Sequence, residues 1–178
     1  MSNLFQSLIY SLLIAISISC QLPEPGTAAN FLPKSKTFPV SKVVDGDTFW
    51  VDNGTEKGLK IRLIGIDAPE TKRSFKKEID YYGKEAQAYL TKLFTNKKVR
   101  LVSDVNPLDQ YGRTLSYVYL EDGTFVNAEL LKNGYAVLMT IPPNVAFADY
   151  FAKMQGEARE KKKGLWNEKA RNNSQGFK

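Results

Sequence analysis

The feature that most limits the fold of this chain is a series of short β-strand patterns interrupted by one long helical pattern. Runs rich in β-branched and aromatic residues are separated by turn signals such as Asp52-Asn53-Gly54. The third run ends near Pro69, because a residue before proline favours extended geometry. The predicted strands cover residues 40–44, 48–51, 59–66, 98–103 and 113–120.

Three segments have the spacing and boundaries of helices. Residues 78–94 repeat apolar side chains at helical intervals. A short helix at 125–131 is followed by the stop signal Asn133-Gly134, and a last helix is predicted over 147–163. The strands and helices favour an α+β, mainly β fold, an OB-type five-stranded β-barrel with three α-helices. Pattern alone leaves this barrel among several α+β arrangements.

Composition indicates a basic globular domain. The 178 residues suit one domain with tails, and an apolar content of 43% is enough for a core. The net charge of +6 attracts polyanions such as nucleic acid, anionic lipid or acidic glycans. Charge alone does not choose among these partners.

The chain has no histidine and a single cysteine, Cys20. The missing histidine excludes histidine-containing nucleophilic triads, histidine general bases and histidine metal sites. A single cysteine excludes an intramolecular disulfide and a multi-cysteine zinc site. A metal must therefore be bound by oxygen ligands, which favours Ca²⁺, Mg²⁺ or Mn²⁺.

The N-terminus has the character of a targeting segment. Residues 4–18 are apolar and uncharged, and the run is shorter than the ~20 residues of a membrane-spanning helix. We interpret residues 1–20 as a signal peptide. A small residue followed by Cys20 resembles a bacterial lipoprotein signal, in which the cysteine bears lipid. Ordinary secretion and an uncleaved anchor are the alternatives, and each places the domain outside the cytoplasm, in the cell envelope or secreted.

The rest of the chain divides into three parts. Residues 21–37 contain several prolines and predict a flexible linker that holds the domain away from a membrane. Residues 38–166 contain all the strand and helix patterns and form the predicted domain. Residues 167–178 are polar and predict a disordered tail.

Acidic and basic residues in three short segments are the candidates for chemistry. Asp47 lies in VVDGDTF, Arg62, Asp67 and Glu70 lie in IRLIGIDAPET, and Arg113 lies in DQYGRTL. Two carboxylates can hold a hard metal ion, a third can act as a general base, and two arginines can bind a phosphate. Taken singly, each residue also fits a turn, a loop or a surface ion pair. We interpret the set as a metal-dependent nuclease site.

A family resemblance joins these segments. VVDGDTF, IRLIGIDAPET, YYGKEA, DQYGRTLSYVY and FVNAELLKNGYA, in this order and spacing, resemble a staphylococcal-nuclease-type thermonuclease domain over residues 38–166. The resemblance implies an OB barrel with three helices. It also implies Ca²⁺-dependent hydrolysis of DNA and RNA to 3′-phosphate products, with low sequence specificity.

The same resemblance implies a role for each candidate. The implied Ca²⁺ ligands are Asp47, Asp67 and, through its carbonyl, Ala68. The implied catalytic residues are Arg62 and Arg113, which bind the scissile phosphate, and Glu70, which activates the attacking water.

Substrate contacts follow the family less closely. The resemblance suggests that Tyr111 contacts a terminal phosphate, and Lys76 and Lys77 lie in a basic loop that can steer a polyanion. Gln110 stands where a phosphate-contacting lysine is common, and Met139 stands at or near the place of a base-stacking tyrosine. We therefore predict weaker nucleotide binding than in the prototype, with the chemistry retained.

Two other functions stay open at this point. Some nuclease-like domains keep the barrel and only bind nucleic acid or protein, and a basic lipoprotein could serve as a surface adhesin or polyanion-binding protein. Hydrolysis that a chelator abolishes favours the enzyme, whereas binding that persists without metal favours a binding module. For the enzyme we expect a monomer that prefers single-stranded or frayed nucleic acid.

Overall fold

Strands form where inward apolar side chains alternate with outward polar ones, and together they close a barrel. The computed structural model describes residues 36–71 and 81–167. In these ranges the strands are β1 (Thr37–Val43), β2 (Thr48–Val51), β3 (Leu59–Leu63), β4 (Ile66–Asp67), β5 (Lys98–Val102), β6 (Thr114–Leu120) and β7 (Val137–Leu138). Five of them close in the order β1-β2-β3-β6-β5, with β3 and β6 parallel and the other pairs antiparallel. The predicted five-stranded barrel is confirmed.

The barrel interior is filled by the alternate residues of its strands. Phe49 and Val51 on β2 and Ile61 and Leu63 on β3 are at most 1% exposed. Phe49 packs against Phe94, with the ring centroids 4.7 Å apart. Burial of each such side chain stabilises the fold by about 1.5–3 kcal/mol. The intervening residues of the same strands are therefore left on the outer face.

The helices cover the barrel from outside. The described ranges contain α1 (Gly83–Phe94), α2 (Val126–Lys132), α3 (Ala148–Glu160) and a 3₁₀ turn (Gly164–Trp166). The helix predicted from residue 78 begins later, because Tyr82 has a φ of 75°, which a right-handed helix does not allow. Residues 72–80 lie outside the described residues. No helix in the described ranges has the length and apolar character needed to span a bilayer.

The run predicted as one strand over residues 59–66 is two strands. Gly65 has a φ of 79°, and an added Cβ there would lie 2.6 Å from the ring of Phe151. The chain therefore turns between β3 and β4, and β4 pairs with β7 instead of continuing the barrel. The turn brings Asp67 to the edge of the barrel beside Arg62.

Several predicted features lie outside the described residues. They are the signal segment 1–20 with Cys20, the linker as far as residue 35, Lys76 and Lys77, and the tail beyond residue 167.

Candidate active site

Asp47 is a buried carboxylate held by three donors. It is 5% exposed and lies immediately before β2. The Thr48 hydroxyl donates to its Oδ1 at 3.0 Å, and the Ala68 backbone N–H donates to its Oδ2 at 2.7 Å. Arg62 Nη2 lies 3.2 Å from the same Oδ2. Burial raises the pKa of Asp47, and the opposing effects of the Arg62 charge and these hydrogen bonds are smaller.

Arg62 stands between the two predicted metal-binding carboxylates. Its Nη2 donates to Asp67 Oδ1 at 2.8 Å while it lies 3.2 Å from Asp47 Oδ2. Its Nη1 donates to the carbonyls of Leu63 and Ile66, each at 2.8 Å. The turn after β3 thus folds around the guanidinium, whose side chain is 12% exposed.

The oxygens around Arg62 have the chemistry of a hard-cation site. Carboxylate oxygens of Asp47 and Asp67 converge on one guanidinium nitrogen, so a positive charge already lies between them. Residues 36–71 and 81–167 contain no group of three or more acidic, histidine or cysteine side chains that could hold a metal ion. A cation here would need carbonyl, water or substrate oxygens beside the two carboxylates. Ca²⁺, with ~6–8 oxygen ligands, fits such an open donor set.

The first turn of α1 supports two loops, one that carries Asp47 and one that carries Asp67 to Glu70. Gly46, next to Asp47, packs between α1 and the Ala68 loop. An added Cβ at Gly46 would lie 2.6 Å from Ala68 Cβ and 2.8 Å from Ala86 Cβ. An added Cβ at Gly83 would overlap the carbonyl oxygen of Glu70. The sequence does not mark either glycine as special, because the close approach depends on tertiary packing.

Glu70 lies on the loop that α1 supports. It follows the Asp67-Ala68-Pro69 segment, and its side chain is partly exposed. Its backbone carbonyl packs against Gly83. The structure therefore places this carboxylate on the same short loop as Asp67 and Ala68.

Arg113 is oriented by Asp109, a residue that sequence analysis missed. Arg113 Nε donates to Asp109 Oδ2 at 2.6 Å. The backbone N–H groups of Tyr111 and Arg113 donate to Asp109 Oδ1, both at 2.9 Å. Burial alone would raise the pKa of Asp109, but the hydrogen bonds and the charge of Arg113 outweigh it and lower this pKa. An acid four residues before an arginine, in DQYGR, was the available signal.

A cleft brings four of the predicted site residues together. It has a volume of about 570 Å³, and its lining includes Arg62, Asp67, Tyr111 and Arg113. Tyr111 is 75% exposed, and the Arg113 guanidinium carbon lies 5.5 Å from its ring centroid. The other described candidates, Asp47, Ala68 and Glu70, do not line the cleft. Both arginines thus line the same cleft.

The two positions that depart from the family pattern also line this cleft. Gln110 lies on the Tyr111 side, and Met139 follows β7. Leu108 and Ile141 extend the rim, and both are exposed. The rim near the arginines is therefore more aliphatic than aromatic.

Reciprocal hydrogen bonds hold the two loops that form this rim. Asn106 N–H donates to Asn144 Oδ1 at 2.8 Å, and Asn144 Nδ2 donates to the Asn106 carbonyl at 2.9 Å. Asp104 Oδ2 accepts from the Tyr117 hydroxyl at 2.7 Å and from Ala146 N–H at 3.2 Å. These contacts join loops about forty residues apart, so sequence spacing did not reveal them.

Comparisons with known proteins identify similar chains. The family model described as "Staphylococcal nuclease homologue" matches residues 60–168. The thermonuclease of Staphylococcus intermedius is 38% identical over 133 residues, which are 75% of this chain and 77% of that protein. The thermonuclease of Staphylococcus hyicus is 39% identical over 133 residues, 74% of this chain and 76% of that protein. Endonuclease YhcR of Bacillus subtilis (strain 168) is 39% identical over 136 residues, 72% of this chain and 11% of that larger protein.

Proposed function

The chain belongs to the family of staphylococcal nuclease homologues and is a nuclease, and we propose that it hydrolyses DNA and RNA in a Ca²⁺-dependent reaction that leaves 3′-phosphates. The observation that carries the proposal is the position of Arg62. Its guanidinium contacts Asp47 and Asp67 and lines the same cleft as Arg113. Asp67 and both arginines thus line a space that a phosphodiester can enter, and Asp47 contacts Arg62 from outside that lining.

The residues that would hold Ca²⁺ are Asp47, Asp67 and, through its carbonyl, Ala68. When bound, the ion supplies positive charge that polarises the scissile phosphate. The chain supplies a rigid setting, because Thr48 and the Ala68 N–H fix both oxygens of Asp47 before any ion binds.

Arg62 and Arg113 are the proposed phosphate-binding residues. Negative charge grows on the phosphate oxygens in the transition state, and fixed guanidinium donors stabilise that charge without reorganising. Asp109 holds Arg113 through Nε, so this ion pair does not use the two Nη nitrogens. A guanidinium fits two oxygens at once, so lysine would not replace either arginine fully.

Glu70 is the proposed general base. It takes a proton from a water molecule as the water oxygen bonds to phosphorus, the bond from phosphorus to the 5′-oxygen breaks, and that oxygen takes a proton from solvent to leave as a hydroxyl group. The 3′-oxygen keeps the phosphate. Because the chain contains no histidine, a carboxylate on the loop of Asp67 suits the role.

The proposed substrates are single-stranded or frayed DNA and RNA, with low sequence specificity, because phosphate contacts carry little base information. Tyr111 is proposed to contact a terminal phosphate, and Lys76 and Lys77 to steer the polyanion. The cleft positions of Gln110 and Met139 support weaker binding of small nucleotides than in the family prototype.

We also propose that the protein is exported and works as a monomer. Residues 1–20 would be the signal peptide, Cys20 the lipid-bearing residue, 21–37 a linker, 38–166 the nuclease domain and 167–178 a tail. Incorporation of labelled palmitate into the wild type, and its loss in Cys20→Ser, tests the anchor. An unlabelled protein recovered from the medium would favour ordinary secretion.

Hydrolysis of denatured DNA by the full chain tests the function. We expect cleavage with Ca²⁺, none with a chelator, and a ~10²–10⁴-fold loss of kcat in Glu70→Gln, the range for removal of a general base. Glu56→Gln is the matched control, because Glu56 is exposed in the β2–β3 turn. Equal rates for the two variants would exclude Glu70 as the base. Nucleic-acid binding without hydrolysis by the wild type would indicate a binding module.

A further inference from the structure

Three neighbouring strands place two lysines on either side of a tryptophan. In the β1–β2 register Lys42 lies opposite Trp50, and in the β2–β3 register Trp50 lies opposite Lys60. Directly opposed residues have side chains on the same face, with Cβ atoms ~4.5–5.5 Å apart. Lys42, Trp50 and Lys60 therefore form one row across the sheet, here termed the Lys–Trp–Lys stripe.

The stripe lies on the outer face of the barrel. Phe49 and Val51, on either side of Trp50, are fully buried in the interior, so Trp50 points outward. Lys42 is exposed, and Trp50 and Lys60 are partly exposed. The tryptophan thus has an accessible surface that the core does not use.

Among the described residues, the lysines of the stripe have no carboxylate partner and its tryptophan has no aromatic partner. Within the described ranges neither lysine forms a salt bridge, and Trp50 makes no contact with another aromatic ring. Lys60 Nζ lies 5.9 Å from the Trp50 ring centroid, a distance typical of a weak cation–π contact. Two ammonium groups beside an indole match a ligand that carries both phosphates and planar rings.

The stripe is adjacent to the candidate active site. Thr48 lies opposite Arg62 in the same β2–β3 register, two residues along from the pair of Trp50 and Lys60. Two residues along a strand span about 7 Å and return to the same face. A strand of nucleic acid that leaves the phosphate site at Arg62 can therefore reach the stripe within a few nucleotides.

We propose that the Lys–Trp–Lys stripe is an accessory binding site for single-stranded nucleic acid, with a base stacked on Trp50 and phosphates bound by Lys42 and Lys60. The proposal rests on the proposed nuclease function and names where the substrate binds outside the catalytic cleft. Stacking and counterion release are sequence-tolerant, which suits a nuclease of low specificity. The site favours long single strands, because a dinucleotide has one internal phosphate, and when Arg62 binds that phosphate none is left for Lys42 and Lys60.

The first test uses the fluorescence of Trp50. The chain has two tryptophans, so in Trp166→Phe the emission comes from Trp50 alone. With a chelator present to prevent cleavage, we expect quenching by a twelve-residue oligothymidylate and none by thymidine dinucleotide. Oligothymidylate that binds, as shown by anisotropy of a labelled strand, without quenching would overturn the proposal. Equal or stronger quenching by anionic phosphatidylglycerol vesicles would overturn it too and assign the stripe to a lipid surface.

The second test compares kinetic constants on long and short substrates. In Trp50→Ala and in Lys42→Gln/Lys60→Gln we expect the KM for oligothymidylate to rise about tenfold more than the KM for the dinucleotide. Trp50→Phe should restore most of the loss, because phenylalanine also stacks. Lys132→Gln on α2 is the charge-matched control. Equal changes on both substrates would indicate a structural role for Trp50 and overturn the proposal, whereas a wild type that cleaves neither substrate contradicts the nuclease function itself.

Discussion

At the scale of single residues, the candidate site contains two kinds of side chain: those that lie in recognisable motifs, and those that orient them. Asp47, Arg62, Asp67, Glu70 and Arg113 are proposed from the sequence because each lies in a motif with a fixed order and spacing, and their roles stay predictions. Thr48 and Asp109 orient two of these residues. Threonine and aspartate are common near turns, so the sequence does not mark either one. Their roles appear only when the hydrogen-bond partners are known.

Loss of the Asp109 charge should disorient Arg113. In Asp109→Asn the amide retains one acceptor, but the charge-assisted bond to Arg113 Nε is lost, and we expect kcat on denatured DNA to fall about 10–100-fold. Asp122→Asn removes an exposed acid that pairs with Lys97 and serves as the control. Steady-state kinetics distinguish the two. Matching kcat values for both variants would show that Arg113 does not need its partner.

An aromatic side chain at position 139 should improve nucleotide binding. Met139 is 37% exposed on the cleft rim, and tyrosine there would offer a base a stacking surface worth ~1–3 kcal/mol. We expect Met139→Tyr to lower the Kd of a nucleoside diphosphate by about 5–100-fold, measured by calorimetry. Val145→Tyr, also exposed but outside the cleft lining, is the control. A similar gain in both variants would show that the effect is not local to the cleft.

At the scale of elements, α1 is the part that sets the relative positions of the two acidic loops. Its Gly83 and Ala86 pack on the loops of Glu70 and Gly46, and Gln87 Nε2 donates to the Val44 carbonyl at 2.9 Å. Hydrophobic spacing predicted that this helix exists. The spacing did not predict where the helix starts. The start is set by the left-handed conformation of Tyr82, which does not affect the spacing of apolar residues.

A side chain at Gly83 should displace the Glu70 loop. In Gly83→Ala the new Cβ would overlap the Glu70 carbonyl. We therefore expect a lower free energy of unfolding, and a fall in kcat that is larger than any rise in KM. Gly156→Ala is a matched control, because no atom lies within 4 Å of an added Cβ there. Alanine inside α3 should stabilise the protein by about 0.5–1 kcal/mol. Thermal unfolding and nuclease kinetics measure both variants, and unchanged kcat in Gly83→Ala would refute the supporting role of α1.

At the scale of the whole molecule, the fold was largely predictable and the connections between its parts were not. Strand runs, turn signals and the inserted helix led to the five-stranded barrel, which is confirmed. The separate β4–β7 pair was missed because Gly65 within an apolar run did not signal a turn. Long-range polar contacts were also invisible in the sequence, and buried Asn127 provides the main example.

Replacement of Asn127 should weaken the whole fold. Its Nδ2 donates to the Ile64 carbonyl at 2.9 Å, its Oδ1 accepts from Val118 N–H at 2.9 Å, and the residue is fully buried. Asn127→Ala leaves two buried backbone groups unpaired, each worth about 1–3 kcal/mol. We expect a urea midpoint well below that of Asn53→Ala, whose hydrogen bonds are exposed. Coincident midpoints would mean that water replaces the lost amide.

Closure of the barrel also determines when the chain can fold. Strand β1 must meet β5, where Thr37 pairs with Arg100, and β3 must meet β6, where Ile61 pairs with Thr114. Such pairings between distant parts of the chain are slow, and barrels dominated by them fold in milliseconds to seconds. During synthesis, β1 to β3 therefore remain an incompletely paired sheet until β6 has emerged from the ribosome. The last barrel strand to be made, β6, is the one that completes the barrel.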